Sequence, residues 1–332
     1  MSTGWGRFTK RIKGIAAGII RPFIYRSLPF VANILSRLVR GNEAYPAFSK
    51  HGFHLLRKHF YTPIPEEDDL TDAFWQSSSD MVGIDIDETR SVVFIEQQIA
   101  PYNAEFSQYP IHASGMESGF YLLNGRFMAV DGNVYYGLIR SLKPRRILEV
   151  GCGLSTILAS DAVRENGEEG EVSELICVEP YRTAILEQGN LEISELIVKK
   201  VQQVEVEAFT SLGKGDILFI DTSHVLKSGG DVQFLYCEVM PRLNPGVYVH
   251  IHDISLPKPY PRVYFDQSYF FWNEQYVLQA FLTHNSHAEV IWPGNYMMLK
   301  RPEWMMEIFP EIRTMREHYP SSEPSSFWFR TK

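Results

Sequence analysis

The strongest constraint on the fold is a series of short apolar segments between residues 145 and 253, most of which end in an acid or are followed by a glycine. In chain order they are RRILEV, LICVE, LIVKKVQQV, DILFID and VYVHIHD. Segments with helical periodicity lie between most of them, and strands that alternate with such helices indicate βαβ units and a parallel sheet. ILEV and DILFI are apolar throughout, as in strands that are covered on both faces.

Further periodic segments complete the predicted fold. Helices are expected from Asp131-Gly132 through NVYYGLIRSL, and over ILASDAVREN, YRTAILEQ, GGDVQFLYCEVMPRL and NEQYVLQAFLTHN. Two closing strands are expected, one from AEVIW or NYMML and the other from SSFWFR. The sequence therefore predicts an α/β fold, doubly wound and Rossmann-like, with a mostly parallel seven-stranded sheet.

The chain divides by composition into three predicted regions. Residues 1–42 form a basic amphipathic arm, residues 43–119 a mainly helical accessory region that caps the substrate, and residues 120–332 the catalytic domain. Eight of the 32 Lys and Arg residues lie in the arm, which has no acid, so the remainder carries 24 basic against 40 acidic residues. Such an acidic body excludes nucleic acid as a partner, because phosphate contacts need clustered cations.

The arm has several interpretations. Charges and prolines interrupt its apolar segments before they reach the ~20 residues that a membrane span needs, and a signal-peptide pattern is missing. We favour a helix that packs on the body or on a second subunit of a homo-oligomer. Contact with an anionic membrane surface and an organelle transit peptide are the alternatives. Three scattered cysteines suit a reducing compartment, so we expect a cytoplasmic protein.

The segment LEVGCGLST predicts a site for an anionic or nucleoside ligand at the end of the first strand. Gly151 and Gly153 allow a tight strand-to-helix turn and a close approach of the ligand to the backbone. Ser155 or Thr156 can cap the next helix, whose first amides favour an anion. Glu179 ends the second strand, where an acid can accept hydrogen bonds from ribose hydroxyls.

EVGCG, VEP and DILFID resemble the successive motifs of class I S-adenosylmethionine-dependent methyltransferases. In detail, FIDTSHV, PRLNPGVYVHIHDI and NEQYVLQAFL resemble a bacterial group of small-molecule enzymes, similar to methyltransferase family 24. The resemblance covers about residues 120–332 and implies S-adenosylmethionine as the cofactor.

The resemblance also implies roles for individual residues. Gly151 and Gly153 would approach the amino-acid moiety of the cofactor, Glu149 would support it and Glu179 would bind the ribose. The segment near Val204–Phe209 would flank the adenine. Ser155 and Asp221 complete the expected cofactor-binding set, and Tyr135 and Tyr136 would cover the cofactor.

DTSH, residues 221–224, and HIHD, residues 250–253, supply the predicted catalytic groups. Asp221 to His224 matches a D-x-x-H spacing that macrolide-sugar methyltransferases carry, which implies that His224 is a general base. Related enzymes bind metal through acids at these two strand tips. His252 stands here where that pattern has an acid, so Asp221, His252 and Asp253 form a mixed set that suits iron, zinc, manganese or nickel better than magnesium. A divalent metal therefore remains an alternative, with His250 as a core histidine.

The predicted reaction is O-methylation of a small-molecule acceptor. Asp221, His252 and Asp253 position the acceptor, with or without metal, and His224 removes its hydroxyl proton. The aromatic segment 260–276 serves as a lid or as core. The alternative is another chemistry of the same sulfonium, either aminocarboxypropyl transfer or cyclisation of the cofactor, both of which release methylthioadenosine.

Overall fold

A computed structural model describes residues 22–37, 39, 43–56, 58–59, 61–113, 119–187 and 189–332. The chain forms two compact units, Met1–Asp68 and Asp69–Lys332. Across the described ranges, every helix is too short or too polar to cross a bilayer.

The first unit contains two described helices, α1 over residues 22–37 and α2 over Tyr45–Ser49. The first 21 residues of the predicted arm lie outside the described residues. Seven large apolar side chains of α1 are exposed: Phe23, Ile24, Tyr25, Leu28, Phe30, Val31 and Ile34. The packing, membrane and oligomer hypotheses for the arm stay predictions.

The second unit is built on one seven-stranded sheet in the order β3-β2-β1-β4-β5-β7-β6. The strands are β1 Arg146–Val150, β2 Glu174–Val178, β3 Glu195–Ile197, β4 Ile217–Ile220, β5 Tyr248–Ile251, β6 Ala288–Pro293 and β7 Phe327–Thr331. The first five are parallel, and β7 lies antiparallel between β5 and β6. The predicted mostly parallel seven-stranded sheet is confirmed.

Helices cover both faces of this sheet. They are α3 Asp72–Gln76, α4 Glu88–Phe94, α5 Asn103–Phe106, α6 Asp131–Leu142, α7 Leu154–Glu168, α8 Val206–Thr210, α9 Asp231–Phe234, α10 Arg262–Asp266, α11 Glu274–Leu282, α12 Gly294–Lys300, α13 Pro302–Ile308 and α14 Glu311–His318. α4 and α9 each continue through a π-helical turn into a 3₁₀ turn. Ile147 of β1 belongs to one buried apolar cluster and Leu148 to the other, so the sheet separates two cores. This is the expected doubly wound arrangement.

The predicted boundary between residues 119 and 120 stays a prediction, and the compact unit that contains the sheet begins earlier, at Asp69. Residues 69–113 belong to the unit that contains the sheet. Helix α4 packs beside β6, where Arg90 donates to the carbonyl of Val290 and Ser91 to that of Ile291. This segment is therefore part of the domain that holds the site.

Two local predictions differ from the structure, and one alternative that the sequence left open is decided. Residues 181–187 of the YRTAILEQ segment form turns rather than the predicted helix, and Thr183, Ala184 and Ile185 line a cavity described below. NYMML is helix α12, and AEVIW is the strand. Asp131 does not cap α6 but lies inside its first turn, where its carboxylate accepts hydrogen bonds from the backbone amides of Ser325 and Ser326.

Candidate active site

The candidate site lies at the edge where the parallel strands end. Val150 is in register with Val178 and with Ile220, and Ile220 is in register with Ile251. The strand ends are therefore flush. Because each strand leaves the sheet at the same level, the residues that follow them form one row, which consists of Gly151, Glu179, Asp221 and His252.

The two glycines of the predicted turn differ in what surrounds them. Gly151 has φ +84°, and a Cβ atom there would lie 1.6 Å from the carbonyl oxygen of Asp221. The turn after β1 therefore passes directly against the end of β4. Gly153 has no such neighbour, since a Cβ atom built on it meets no heavy atom within 4 Å. No packing contact in the described structure demands a glycine at position 153.

Glu149 supports this turn from below. Its carboxylate is fully buried and accepts hydrogen bonds from Ser155 Oγ (2.6 Å), Thr156 Oγ1 (2.9 Å) and the hydroxyl of Tyr135 (3.3 Å). Burial raises the pKa of Glu149 to about 7, although these three donors oppose the shift. Thr156 also accepts a hydrogen bond from the Gly153 amide, so it caps α7. Ser155 is thus turned toward Glu149.

Tyr135 and Tyr136 do not cover a ligand site as the resemblance implied. Both are buried in the core, and the hydroxyl of Tyr136 donates to Glu105. The ring of Tyr135 stacks on Phe219 of β4, and its hydroxyl helps to fix Glu149. The ring of Tyr136 packs against Phe106 and Tyr109.

Glu179 holds the turn from the side of β2. One of its oxygens accepts a hydrogen bond from the Cys152 amide (3.2 Å) and the other from the Tyr181 amide (2.8 Å). Each carboxylate oxygen has a second lone pair. Glu179 is therefore oriented by the backbone and can still accept hydrogen bonds from a ligand.

Two cavities meet along this row. One has about 630 Å³ and extends from Phe127 across Gly151–Ser155 to residues 183–185. The other has about 370 Å³ and extends past Pro180 to Lys200–Gln202. Gly151, Glu179 and Asp221 line both. The residues of the second wall are Lys200–Gln202 rather than Val204–Phe209, because Phe209 is fully buried in the core beneath.

His224 forms the centre of an acidic cluster next to these cavities. Its Nε2 lies 3.2 Å from Asp221 Oδ1 and 3.4 Å from Asp253 Oδ2, and its Nδ1 lies 2.9 Å from Glu274 Oε2. His224 and Asp253 both have left-handed backbone conformations, with φ +57° and +56°. Such strain in residues other than glycine is concentrated at functional sites.

The charges of this cluster determine its protonation. Burial disfavours the charged imidazole, but the hydrogen bonds to Asp221 and Glu274 outweigh it and hold the pKa of His224 well above its ordinary value. Burial raises the pKa of Asp253, whereas the charges of His252 and His224 hold the pKa of Asp221 below its usual range. In the ligand-free site His224 is therefore an imidazolium among carboxylates.

Glu274 is the residue that sequence reasoning missed. Its carboxylate is fully buried at the start of α11, and the amides of Asn273 and Glu274 both donate to the carbonyl of His224. An acid in the first turn of a helix is common because it favours the helix dipole, so its position gave no functional signal. Only the fold brings it to His224, 50 residues earlier in the chain.

The structure brings His224, and not the predicted His252, together with the two aspartates. Asp221, His224 and Asp253 each offer one ligand atom, and these atoms lie within 4.8 Å of one another. His252 continues the register of the sheet through its amide, which donates to Ile220, and its ring packs 5.1 Å from that of Phe127. His252 is buried beside the cluster, and its Nε2 lies 3.8 Å from Asp253 Oδ1.

His250 is a core residue, as the sequence suggested. It is fully buried, its Nε2 contacts Ser326 Oγ at 2.8 Å, and its ring stacks on Phe219. Burial and the nearby His252 hold its pKa well below the ordinary value, so it is neutral.

The aromatic segment after β5 covers the cluster. The ring of Trp272 lies 4.4 Å from that of His224 and stacks on Phe270, whose ring is 5.2 Å away. Tyr264 packs edge-on against Trp272. This part of the segment is thus a roof over the cluster, while Phe265 and Tyr260 are buried and serve as core.

Comparison with known proteins gives the class. Residues 148–254 match the family model described as a methyltransferase domain. An uncharacterized protein from Archaeoglobus fulgidus is 28% identical over 161 residues, which cover 46% of this chain and 72% of that protein. The residues that match the family model include the glycine turn, Glu179 and the Asp221–His224 segment.

Solved structures with partial similarity include an O-methyltransferase from Bacillus cereus in complex with S-adenosylhomocysteine. It has 12% identity and a TM-score of 0.34, over 73% of this chain and 96% of that one. A putative protein-L-isoaspartate O-methyltransferase from Plasmodium falciparum, also with S-adenosyl-L-homocysteine, has 14% identity and a TM-score of 0.29, over 50% and 83%.

The family match, the glycine turn and the sheet together identify a class I S-adenosylmethionine-dependent methyltransferase. Residues 148–254 are its methyltransferase domain. The class predicted from EVGCG, VEP and DILFID is confirmed, and the protein is a transferase.

Proposed function

We propose that this enzyme methylates a hydroxyl group of a small-molecule acceptor. The observation that carries the proposal is the unfilled space over Gly153 next to Glu179 and the His224 cluster. A cofactor that lies across the turn explains why position 153 is a glycine although no protein atom requires one.

The cofactor would contact the row of residues at the strand ends. Its amino-acid moiety would lie over Gly151 and Gly153, near the amides at the start of α7, where a carboxylate is favoured. Glu179 would accept hydrogen bonds from the ribose, and Lys200–Gln202 would flank the base. Glu149 and Ser155 would support the cofactor indirectly, since they stabilise the turn and do not contact the ligand themselves.

His224 is the proposed general base. Glu274 fixes the proton on Nδ1, which directs Nε2 toward the space between Asp221 and Asp253. An imidazole must be neutral to accept the proton of the acceptor hydroxyl. Because its pKa is raised, turnover should increase with pH through the pKa of His224. The aromatic roof would exclude water during the in-line displacement.

A metal is the second proposal for the same cluster, and it is favoured by the grouping of three donor atoms. Two carboxylates and one imidazole fit iron, manganese or zinc. Asp221, His224 and Asp253 would hold the ion, which would lower the pKa of an acceptor hydroxyl. His224 would then be a ligand and not a base. Activity that chelation removes and a divalent ion restores supports the metal, whereas activity that survives chelation supports the base.

The type of transfer is tested by the nucleoside that leaves the enzyme. Incubation with S-adenosylmethionine and a panel of hydroxyl compounds, followed by mass spectrometry, should give S-adenosylhomocysteine and a product heavier by one methylene. Methylthioadenosine in place of S-adenosylhomocysteine would refute methyl transfer. It would favour aminocarboxypropyl transfer, or cyclisation if it forms without any acceptor.

A further inference from the structure

A third cavity is lined by Asp253 but not by Glu179. It has about 280 Å³, and its walls include Arg126, Asp131, Asp253, Lys258, Tyr264 and Asn295. None of the nucleoside contacts proposed above uses this space. The volume suits a small molecule.

This cavity is connected to the proposed cofactor site through two residues. Asp253 contacts His224, which contacts Asp221 in the wall of the other two cavities. Arg126 lines both this cavity and the cavity over Gly153. A molecule in the third cavity would therefore lie beside Asp253 and would adjoin the proposed cofactor site at Arg126.

The acids in the wall of the third cavity already have partners. The carboxylate of Asp131 accepts hydrogen bonds from Ser325 and Ser326, Glu323 pairs with Arg316, and Asp253 contacts His224. These carboxylates are therefore fixed within the protein.

The two cations in the same wall, Arg126 and Lys258, form no ion pair within the described part of the chain, although the charge of Arg126 helps to lower the pKa of Asp221. Among the described residues, no carboxylate lies within ion-pair distance of the guanidinium of Arg126. The ammonium group of Lys258 contacts the carbonyls of Gln76 and Ser77, at 3.4 and 3.3 Å. Two cations that lack an ion-pair partner among the described residues, on a small cavity next to the reacting groups, are an arrangement that can bind an anion.

We propose that the acceptor is a small hydroxyl compound with an anionic group, a carboxylate or a phosphate, held between Arg126 and Lys258. This inference rests on the proposed function. The anion fixes one end of the acceptor, and its hydroxyl points toward His224 and Asp253. Neutral acceptors lack this anchor.

The test measures binding of matched probes to the protein loaded with S-adenosylhomocysteine. The probes are para-hydroxybenzoate, para-hydroxyphenyl phosphate and the uncharged methyl para-hydroxybenzoate, followed by ligand-observed NMR. We expect at least one acid to bind about tenfold more tightly than the ester. The two acids distinguish a carboxylate site from a phosphate site. Calorimetry of S-adenosylhomocysteine itself is run on the same protein.

Three variants locate the site. Lys258→Gln and Arg126→Gln should each reduce the preference for the acid over the ester about tenfold. Arg242→Gln is the matched control, because Arg242 pairs with Glu238 near the opposite edge of the sheet and should leave the preference unchanged.

The outcomes separate the two proposals. If S-adenosylhomocysteine binds but neither acid binds better than the ester, or the preference survives in both site variants, the anionic acceptor is refuted and the methyltransferase assignment stands. If S-adenosylhomocysteine does not bind, the proposed function itself fails.

Discussion

Replacing each glycine of the turn by alanine separates a structural requirement from a ligand contact. In Gly153→Ala the new methyl group enters open space, at a φ of −172° that any residue adopts. The cost to the ligand-free fold is within about 1 kcal/mol, the range of a helix N-cap change from glycine. The methyl group would occupy the space assigned to the cofactor, and overpacking of this kind costs about 1–3 kcal/mol. We therefore expect affinity for S-adenosylhomocysteine to fall about tenfold to a hundredfold.

Gly151→Ala should behave in the opposite way. Its Cβ atom would lie 1.6 Å from the Asp221 carbonyl oxygen, so the turn must open by at least 1.4 Å to reach the 3.0 Å limit of real contacts. The left-handed backbone adds about 1–2 kcal/mol for alanine. The ligand-free protein should thus lose more than about 3 kcal/mol of unfolding free energy.

Urea unfolding of both ligand-free variants and calorimetry with S-adenosylhomocysteine measure the two effects. Undiminished affinity in Gly153→Ala would refute the placement of the cofactor over this turn. Equal destabilisation of both variants would refute the distinction between the two glycines.

Three further predictions concern buried carboxyl groups. Glu274→Gln removes a charge that raises the pKa of His224, so the rise of kcat with pH should move to lower pH while affinity for S-adenosylhomocysteine stays the same; an unmoved profile would contradict His224 as the base. Glu149 keeps its proton to higher pH in the folded state, with a pKa of about 7 against 4.5, so wild-type stability should decline by roughly 3 kcal/mol as pH rises through this window. Glu149→Gln should remove that decline in urea unfolding of the ligand-free protein, and an identical slope in both proteins would argue against it. Asp131→Ala leaves the amides of Ser325 and Ser326 without their acceptor and should cost about 2–4 kcal/mol, seen as a lower urea midpoint, whereas Asp72→Ala on the exposed surface should change it little.

The sheet was predictable because its signal is local. Each strand is a short apolar run, and the residue after it, such as Gly151 or Asp221, must lie at the same edge as the others. The prediction of a helix over YRTAILEQ was wrong, because contacts that the sequence does not reveal hold this segment in another conformation. The Glu179 carboxylate binds the Tyr181 amide, and the chain beyond lines a cavity.

The side chains of the site were less predictable than the strands. The sequence indicated Asp221, His224 and Asp253 but grouped His252 with the aspartates, because His252 stands where the resembled pattern has an acid. Left-handed backbone at His224 and Asp253 reverses that grouping in space. The role of Glu274 could be recognised only from the fold, since the sequence at the start of a helix does not show which buried group an acid there will contact.

The flush register of β1, β2, β4 and β5 has a consequence for motion. The residues at the strand tips inherit their spacing from interstrand hydrogen bonds, so they should stay fixed when ligands arrive. Opening and closing must then fall to the segments around the strand ends, residues 181–187 and the stretch 262–272 that includes α10. Amide hydrogen exchange should slow in those segments on ligand binding, while protection of Val150, Ile220 and Ile251 stays constant.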